Sequence, residues 1–160
     1  MAGTVQEILD KHQLYVNGDL RGECADLRGN EYLERRKMVG INLSGANLWG
    51  VNLTDTCLVD ADLSNADLRG ANLTGANLVG ARLSNARLAG ATLTKANLVG
   101  ADLSNADLRG ISFGGANLSG ANLSYADITG CDFTTATTQY GTTYTGIKGK
   151  GTVRGCPSNI

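Results

Sequence analysis

Aspartate and arginine alternate in this chain at intervals of twenty: Asp62, Arg82 and Asp102 form one series, and Asp67, Arg87 and Asp107 a second, five residues out of step. Side chains so spaced could do acid–base work, hold a cation, or present charge to a partner. The first two need carboxylates that converge on one point, either on a substrate proton or in an oxygen-rich cage. A series that interleaves an Arg between two Asp suits neither, and describes a charge-balanced face. These six residues are the candidate interaction surface.

Other chemistry is sparse. His12 is the only histidine, has no nucleophile motif beside it, and reads as a packing residue. Cys24, Cys57, Cys131 and Cys156 lie in no metal-ligand spacing. Free thiols are expected, because a 160-residue core needs no staple; a Cys131–Cys156 bridge holding the tail is the alternative. The 22 glycines form neither a phosphate-binding G-x-x-x-x-G-K-[ST] loop nor a dinucleotide fingerprint. No enzyme, catalytic residue, metal, cofactor or small-molecule substrate is therefore expected.

The elements that position the charged series follow from a five-residue beat. From Leu43 to Phe133 every fifth residue is large and apolar, sixteen Leu, two Phe and Ile128. Two residues before each stands a smaller residue, Ala in fourteen cases, with Ile41, Val51, Thr56, Ile111 and Cys131 as the exceptions. A period of five fits neither the 3.6-residue helix nor the two-residue strand. It fits a short extended segment plus a corner, with the Leu and Ala positions inward and three residues outward. Gly70, Gly75, Gly80, Asn65, Asn85 and Asn105 close their pentads, where corners need unusual backbone angles.

Ala46-Asn47-Leu48, Ala61-Asp62-Leu63, Ala71-Asn72-Leu73 and Ala76-Asn77-Leu78 match the A-[DN]-L-x-x motif, and in this the chain resembles the pentapeptide-repeat proteins. The resemblance implies an all-β fold, a right-handed quadrilateral β-helix with four pentads per coil. The sequence supports the four-fold count independently, because Ser44, Ser64, Ser84, Ser104 and Ser124 recur at twenty, as do Thr54, Thr74, Thr94 and Thr134 around Gly114. About five coils at about 4.8 Å each would make a rod of roughly 24 Å. Packing of Leu and Ala should leave no ligand-sized space inside. Stacking should place Asn42, Asp62, Arg82, Asp102 and Asn122 in one column, and Asn47, Asp67, Arg87, Asp107 and Asp127 in the next. Asn52, Asn72, Asn77, Asn97 and Asn117, with Thr92, should carry amide ladders on the other two faces.

The domains read as a cap over 1–40, the repeat over 41–138 and a Gly-rich tail over 139–160. Thr4 and Glu7 have capping-box spacing, and Val5, Ile8, Leu9 and His12 share a helical face, predicting a helix over Val5–Gln13 that covers the first coil. Gly18–Gly22 and Ala25–Gly29 look like two early pentads split by Glu23-Cys24. Leu33 and Met38 keep the later register, but Glu31 and Arg36 would then point inward, so Glu31–Lys37 reads as an irregular excursion. In the tail Tyr140, Tyr144, Ile147 and Val153 could fold back on the last coil, while Lys148, Lys150 and Arg154 read as a solvated basic extension.

A net charge of −1 gives no global field for nucleic acid or an anionic membrane, and no stretch reaches transmembrane length. The functional expectation is a non-catalytic scaffold, a monomer, that binds an unknown protein partner. One alternative comes from the resemblance: some relatives mimic duplex DNA and engage type II topoisomerases such as gyrase. Eight Asp against five Lys or Arg between Ile41 and Tyr140 fall far short of a duplex's charge density. A second alternative is an ice- or surface-binding solenoid using the Thr column, which Gly114 interrupts. The N-terminus lacks a targeting signal, so cytoplasm is expected. Relatives in cyanobacteria and photosynthetic organelles make the thylakoid lumen the alternative, should a targeting segment have been removed.

Overall fold

The computed structural model describes residues 4–29, 33, 35–139, 141–155 and 157. The chain enters through helix α1 (Val5–Val16), three residues longer than the spacing predicts. Its first turn is closed reciprocally: the Glu7 amide donates to Thr4 Oγ1 at 3.2 Å, and the Thr4 amide to the Glu7 carboxylate at 2.6 Å. Val5, Ile8 and Leu9 pack on the core and His12 is wholly buried.

From Asp26 onward the chain coils upon itself as a β-helix. Among the described residues it contains no continuous strand; each pentad contributes one residue to a parallel bridge and then turns. Asp62 bridges Asn42 behind it and Arg82 ahead, and the columns founded on Asn47, Asn52 and Cys57 repeat the same step of twenty. Four bridge columns therefore run along the coil.

One pentad shows why the motif takes this form, since all five of its amides find acceptors. Ala61 N donates back to Leu58 O at 3.1 Å, closing the corner. Asp62 N reaches Ile41 O on the previous coil at 2.8 Å, while Leu63 N and Asn65 N reach Arg82 O and Ser84 O on the next at 2.7 and 3.0 Å. The remaining amide, Ser64 N, is taken by the Asp62 side chain at 3.0 Å. The second place of the pentad thus needs a short side chain with an acceptor oxygen, which Asp and Asn provide. Asn65 closes the turn at φ 59°, and even Asp55, Asp60, Lys95 and Tyr125 accept positive φ at this place.

Every member of the apolar beat from Leu43 to Phe133 is buried. Phe113 and Phe133, one coil apart, stack with ring centroids 4.8 Å apart. The inward Thr56 is satisfied by donating its hydroxyl to Leu33 O at 2.8 Å. An opening of about 400 Å³ lies outside this core, between α1 and Met38, Val39 and Ile41.

The ends correct several expectations. Gly18–Gly22 is not a pentad: Leu20 is fully exposed, and Gly22 is pressed against the backbone of Leu14 and Tyr15 as the chain leaves α1. Ala25–Gly29 does enter the coil, with Ala25 and Leu27 buried and Asp26 bridged to Asn47. That bridge spans twenty-one residues, whereas Lys37 bridges Cys57 at twenty, so Asp26 and Lys37 differ in register by one residue. Leu33 and Met38 are buried as the register requires, and Arg36 is exposed. Asn30, Glu31, Tyr32 and Glu34 lie outside the described residues, as do Tyr140 and Cys156.

The tail is no solvated extension. Thr143, Lys148 and Arg154 bridge Asn122, Asp127 and Asp132, and Thr142, Tyr144 and Ile147 are buried. These bridges step by 21, 21 and 22 residues, so single extra residues hide the continuation from a strict count of five. The basic side chains themselves stay exposed.

Candidate interaction faces

The two charged series occupy adjacent bridge columns. In the first, Arg82 lies between Asp62 and Asp102, and its Nη2 stands 3.4 Å from Asp62 Oδ2. In the second, Arg87 lies between Asp67 and Asp107, with Nη1 3.7 Å from Asp67 Oδ2. Within each series the carboxylates stand on alternate coils with an arginine between them, and do not converge. Among the described residues no group of His, Cys, Asp and Glu is arranged to hold a metal ion.

A pattern inside the pentad, missed in the sequence, dominates the second of these faces. Asp-Leu-Arg-Gly occurs four times, and in three cases it lies in the coil. There the Arg folds back on the Asp two residues earlier: Arg28 on Asp26, Arg69 on Asp67 and Arg109 on Asp107, each through Nε and Nη2 at 2.6–2.9 Å at the closest approach of each nitrogen. These bonds hold the carboxyls of Asp26, Asp67 and Asp107 below the usual carboxylate range, against the opposing effect of partial burial. The guanidinium groups are thereby fixed in a fork instead of sweeping through solvent. The recurrence of Asp-Leu-Arg was the available signal.

With Asp26 opposite Asn47 and Asn47 opposite Asp67, the residues two places on also align, giving an outer column of Arg28, Trp49, Arg69, Ala89 and Arg109. Trp49 is 55% exposed in it. Large exposed apolar side chains are otherwise few, and this one stands between two forked arginines.

The amide ladders expected on the other faces are replaced by bonds within the pentad. Asn72, Asn77, Asn97 and Asn117 accept through Oδ1 from the backbone amide two residues ahead, at 3.1, 3.3, 3.4 and 3.0 Å. The backbone demand for an acceptor occupies Oδ1 in each of them, which does not by itself bar a bond between coils: Asn122 accepts from Ser124 N at 3.0 Å and donates through Nδ2 to Asp102 Oδ1 at 3.1 Å. The Thr column behaves alike: the hydroxyls of Thr54 and Thr74 donate to Asn52 and Asn72 at 2.7 Å. Such hydroxyls keep only their acceptor side for an external surface. In the neighbouring column Val39, Val59, Val79 and Val99 line up outward, another regularity hidden beneath the five-residue beat.

His12 accepts from the Ala25 amide through Nδ1 at 3.1 Å, tying α1 to the first coil, and its buried Nε2 meets no partner among the described residues. Burial lowers its pKa. Cys24, Cys57 and Cys131 are free thiols. The Cys131 thiol donates to Leu108 O at 2.9 Å and is pushed up to about 12 by burial, which keeps it protonated at neutral pH.

A family model described as pentapeptide repeats (8 copies) matches residues 37–70, 66–105 and 96–134. Solved structures similar to the chain include a pentapeptide repeat protein of the Arabidopsis thaliana thylakoid lumen, at 28% identity over 72% of this chain and with a TM-score of 0.39; the chain spans 63% of that protein's length. Another, from Nostoc, is 30% identical over 91% of this chain and 94% of its own, with a TM-score of 0.30. QnrB1, a plasmid-mediated fluoroquinolone resistance protein, is 25% identical over 77% of this chain and 76% of its own, with a TM-score of 0.43. No curated protein matches the chain in sequence. No helix among the described residues is long and apolar enough to cross a membrane.

Proposed function

Since the chain belongs to the pentapeptide-repeat family, we propose that it is a non-catalytic scaffold whose outward faces bind another protein. The reading takes the coil as right-handed and four-sided, with about five turns in the repeat. The observation that carries it is the fixed register of Asp62, Arg82 and Asp102 beside Asp67, Arg87 and Asp107. A sealed core and closed pentads leave the outer side chains as the variable chemistry of each coil. Held on a stiff frame, they lose little freedom on docking, which favours recognition of a surface over chemistry on a substrate.

The DNA-mimic alternative gains nothing from the geometry, because Asp67 and Asp107 are each joined to an arginine instead of forming an uncompensated acidic array. The test is capture of partners from the source cells by the native chain and by Arg82→Glu and Arg87→Glu. Loss of a specific partner from either variant is the expected result. Retention of every partner by both would remove these two columns from the interaction surface.

A further inference from the structure

The proposed scaffold function says nothing of what kind of partner docks, and the outer column of the second charged face does. Arg28, Trp49 and Arg69 stand on three successive coils, with Trp49 exposed between the two arginines. Coils one hydrogen-bonded strand spacing apart put Arg28 and Arg69 about 10 Å from one another. Each guanidinium is locked by Nε and Nη2 to its own Asp, leaving Nη1 outside the fork. Two pre-positioned donors flanking an indole have the composition of an interface hot spot, where Trp and Arg are enriched and little side-chain freedom remains to be lost.

The geometry points to a docking site for an acidic polypeptide segment, in which an apolar side chain rests on Trp49 and carboxylates about 10 Å apart meet Arg28 and Arg69. A polyproline II segment with acidic residues three apart has this spacing, since it advances about 3.1 Å per residue and returns to the same side every third residue; lying on a flat face it presents two of its three edges, so an apolar residue between the acids reaches the broad indole from the adjoining edge. The face suits such a ligand in charge as well. Its two columns carry five cationic groups, Arg28, Arg69, Arg87, Arg109 and Lys148, against four Asp, in a chain of net charge −1. Nucleic acid fits less well: a continuous phosphate backbone would lie over Asp26, Asp67 and Asp107 as well as over the arginines.

This inference rests on the scaffold reading and is tested separately from it, by panning a displayed random-peptide library on the whole chain and measuring selected peptides by titration. The expected outcome is enrichment of peptides with Asp or Glu at i and i+3 around an apolar residue. Their affinity should fall at least tenfold with Trp49→Ala or Arg69→Ala, weaken in high salt, and stay unchanged with Val99→Ala. Peptides whose binding ignores Trp49 and Arg69, or a library that yields none, would overturn this site. If the partner captured from cells still depends on Arg82 or Arg87, the scaffold reading survives that failure. Binding of an oligouridylate that is lost with the same two variants would also overturn the proposal, by making the ligand a nucleic acid.

Discussion

Gly149 lies so close to Thr129 on the preceding coil that a Cβ at position 149 would stand 2.5 Å from the Thr129 Cα and 2.6 Å from its amide nitrogen. Its φ of 82° also belongs to the region that glycine tolerates best. The tail coil is held by such close backbone approaches as well as by Tyr144 and Ile147, which explains why a Gly-rich segment packs in order.

Gly149→Ala should therefore loosen the tail by about 1–3 kcal/mol. Gly141→Ala is the control, since position 141 shares a positive φ but has open space where a Cβ would go. Amide exchange at Lys148 and Arg154, which donate to Ala126 O and Cys131 O, should accelerate strongly in the first variant and much less in the second. Equal acceleration would mean that backbone strain alone matters.

Cys57→Asn should stabilise the coil. Position 57 is the second place of its pentad and offers a thiol where Asn77, Asn97 and Asn117 offer an acceptor oxygen to the amide two residues ahead. Supplying that hydrogen bond should add about 0.5–1.5 kcal/mol, read as a higher denaturation midpoint at unchanged slope. A lower midpoint would show that the thiol is retained for packing.

Ala81→Leu should cost about 1–3 kcal/mol by overpacking a fully buried position, whereas Ser84→Leu on the outer side should change stability by less than about 0.5 kcal/mol. Denaturant titration of both variants checks the inward and outward assignment in a single coil.

The helix cap should weaken in acid. Above about pH 6.5 the His12 ring is neutral whether α1 is docked or not, and no pH dependence arises. Below that, the undocked ring takes up a proton that the buried ring resists, because burial lowers its pKa. Docking then loses up to about 1.4 kcal/mol per pH unit until the docked pKa is reached, and no more below it. Protection of the α1 amides, corrected for intrinsic exchange, should fall between pH 7 and 5 in the native chain and hold steady in His12→Gln, whose carbonyl can accept from Ala25. Identical pH profiles would remove His12 as the cause.

The inward half of each pentad was legible in the sequence because burial imposes an unbroken beat, and the step of twenty placed Arg82 and Arg87 between their Asp neighbours. Outward chemistry was less legible. An Asn can serve its own backbone, as Asn72 does, or its backbone and a neighbouring coil together, as Asn122 does, with the same residue type. Leu20 misled because Asp-Leu-Arg-Gly reads identically in the exit from α1 and in the coil. Folding back of Tyr144 and Ile147 was readable, but the tail's continuation of the ladder was not, because single added residues before Thr143 and Arg154 break the count without breaking the bridges. Trp49 gained its meaning only when the bridge between Asp26 and Asn47 set Arg28 beside it.

The bridge step of twenty also constrains how such a chain can change in length. Duplicating a whole coil would leave every downstream residue under its former neighbours, with Asp127 still following Asp107 and Lys148 still following Asp127. Adding one pentad would preserve the core perfectly well and yet turn everything beyond it onto the next side, breaking each charged column at that point. Growth by fives is permitted by folding, and growth by twenties is what an established binding surface can survive.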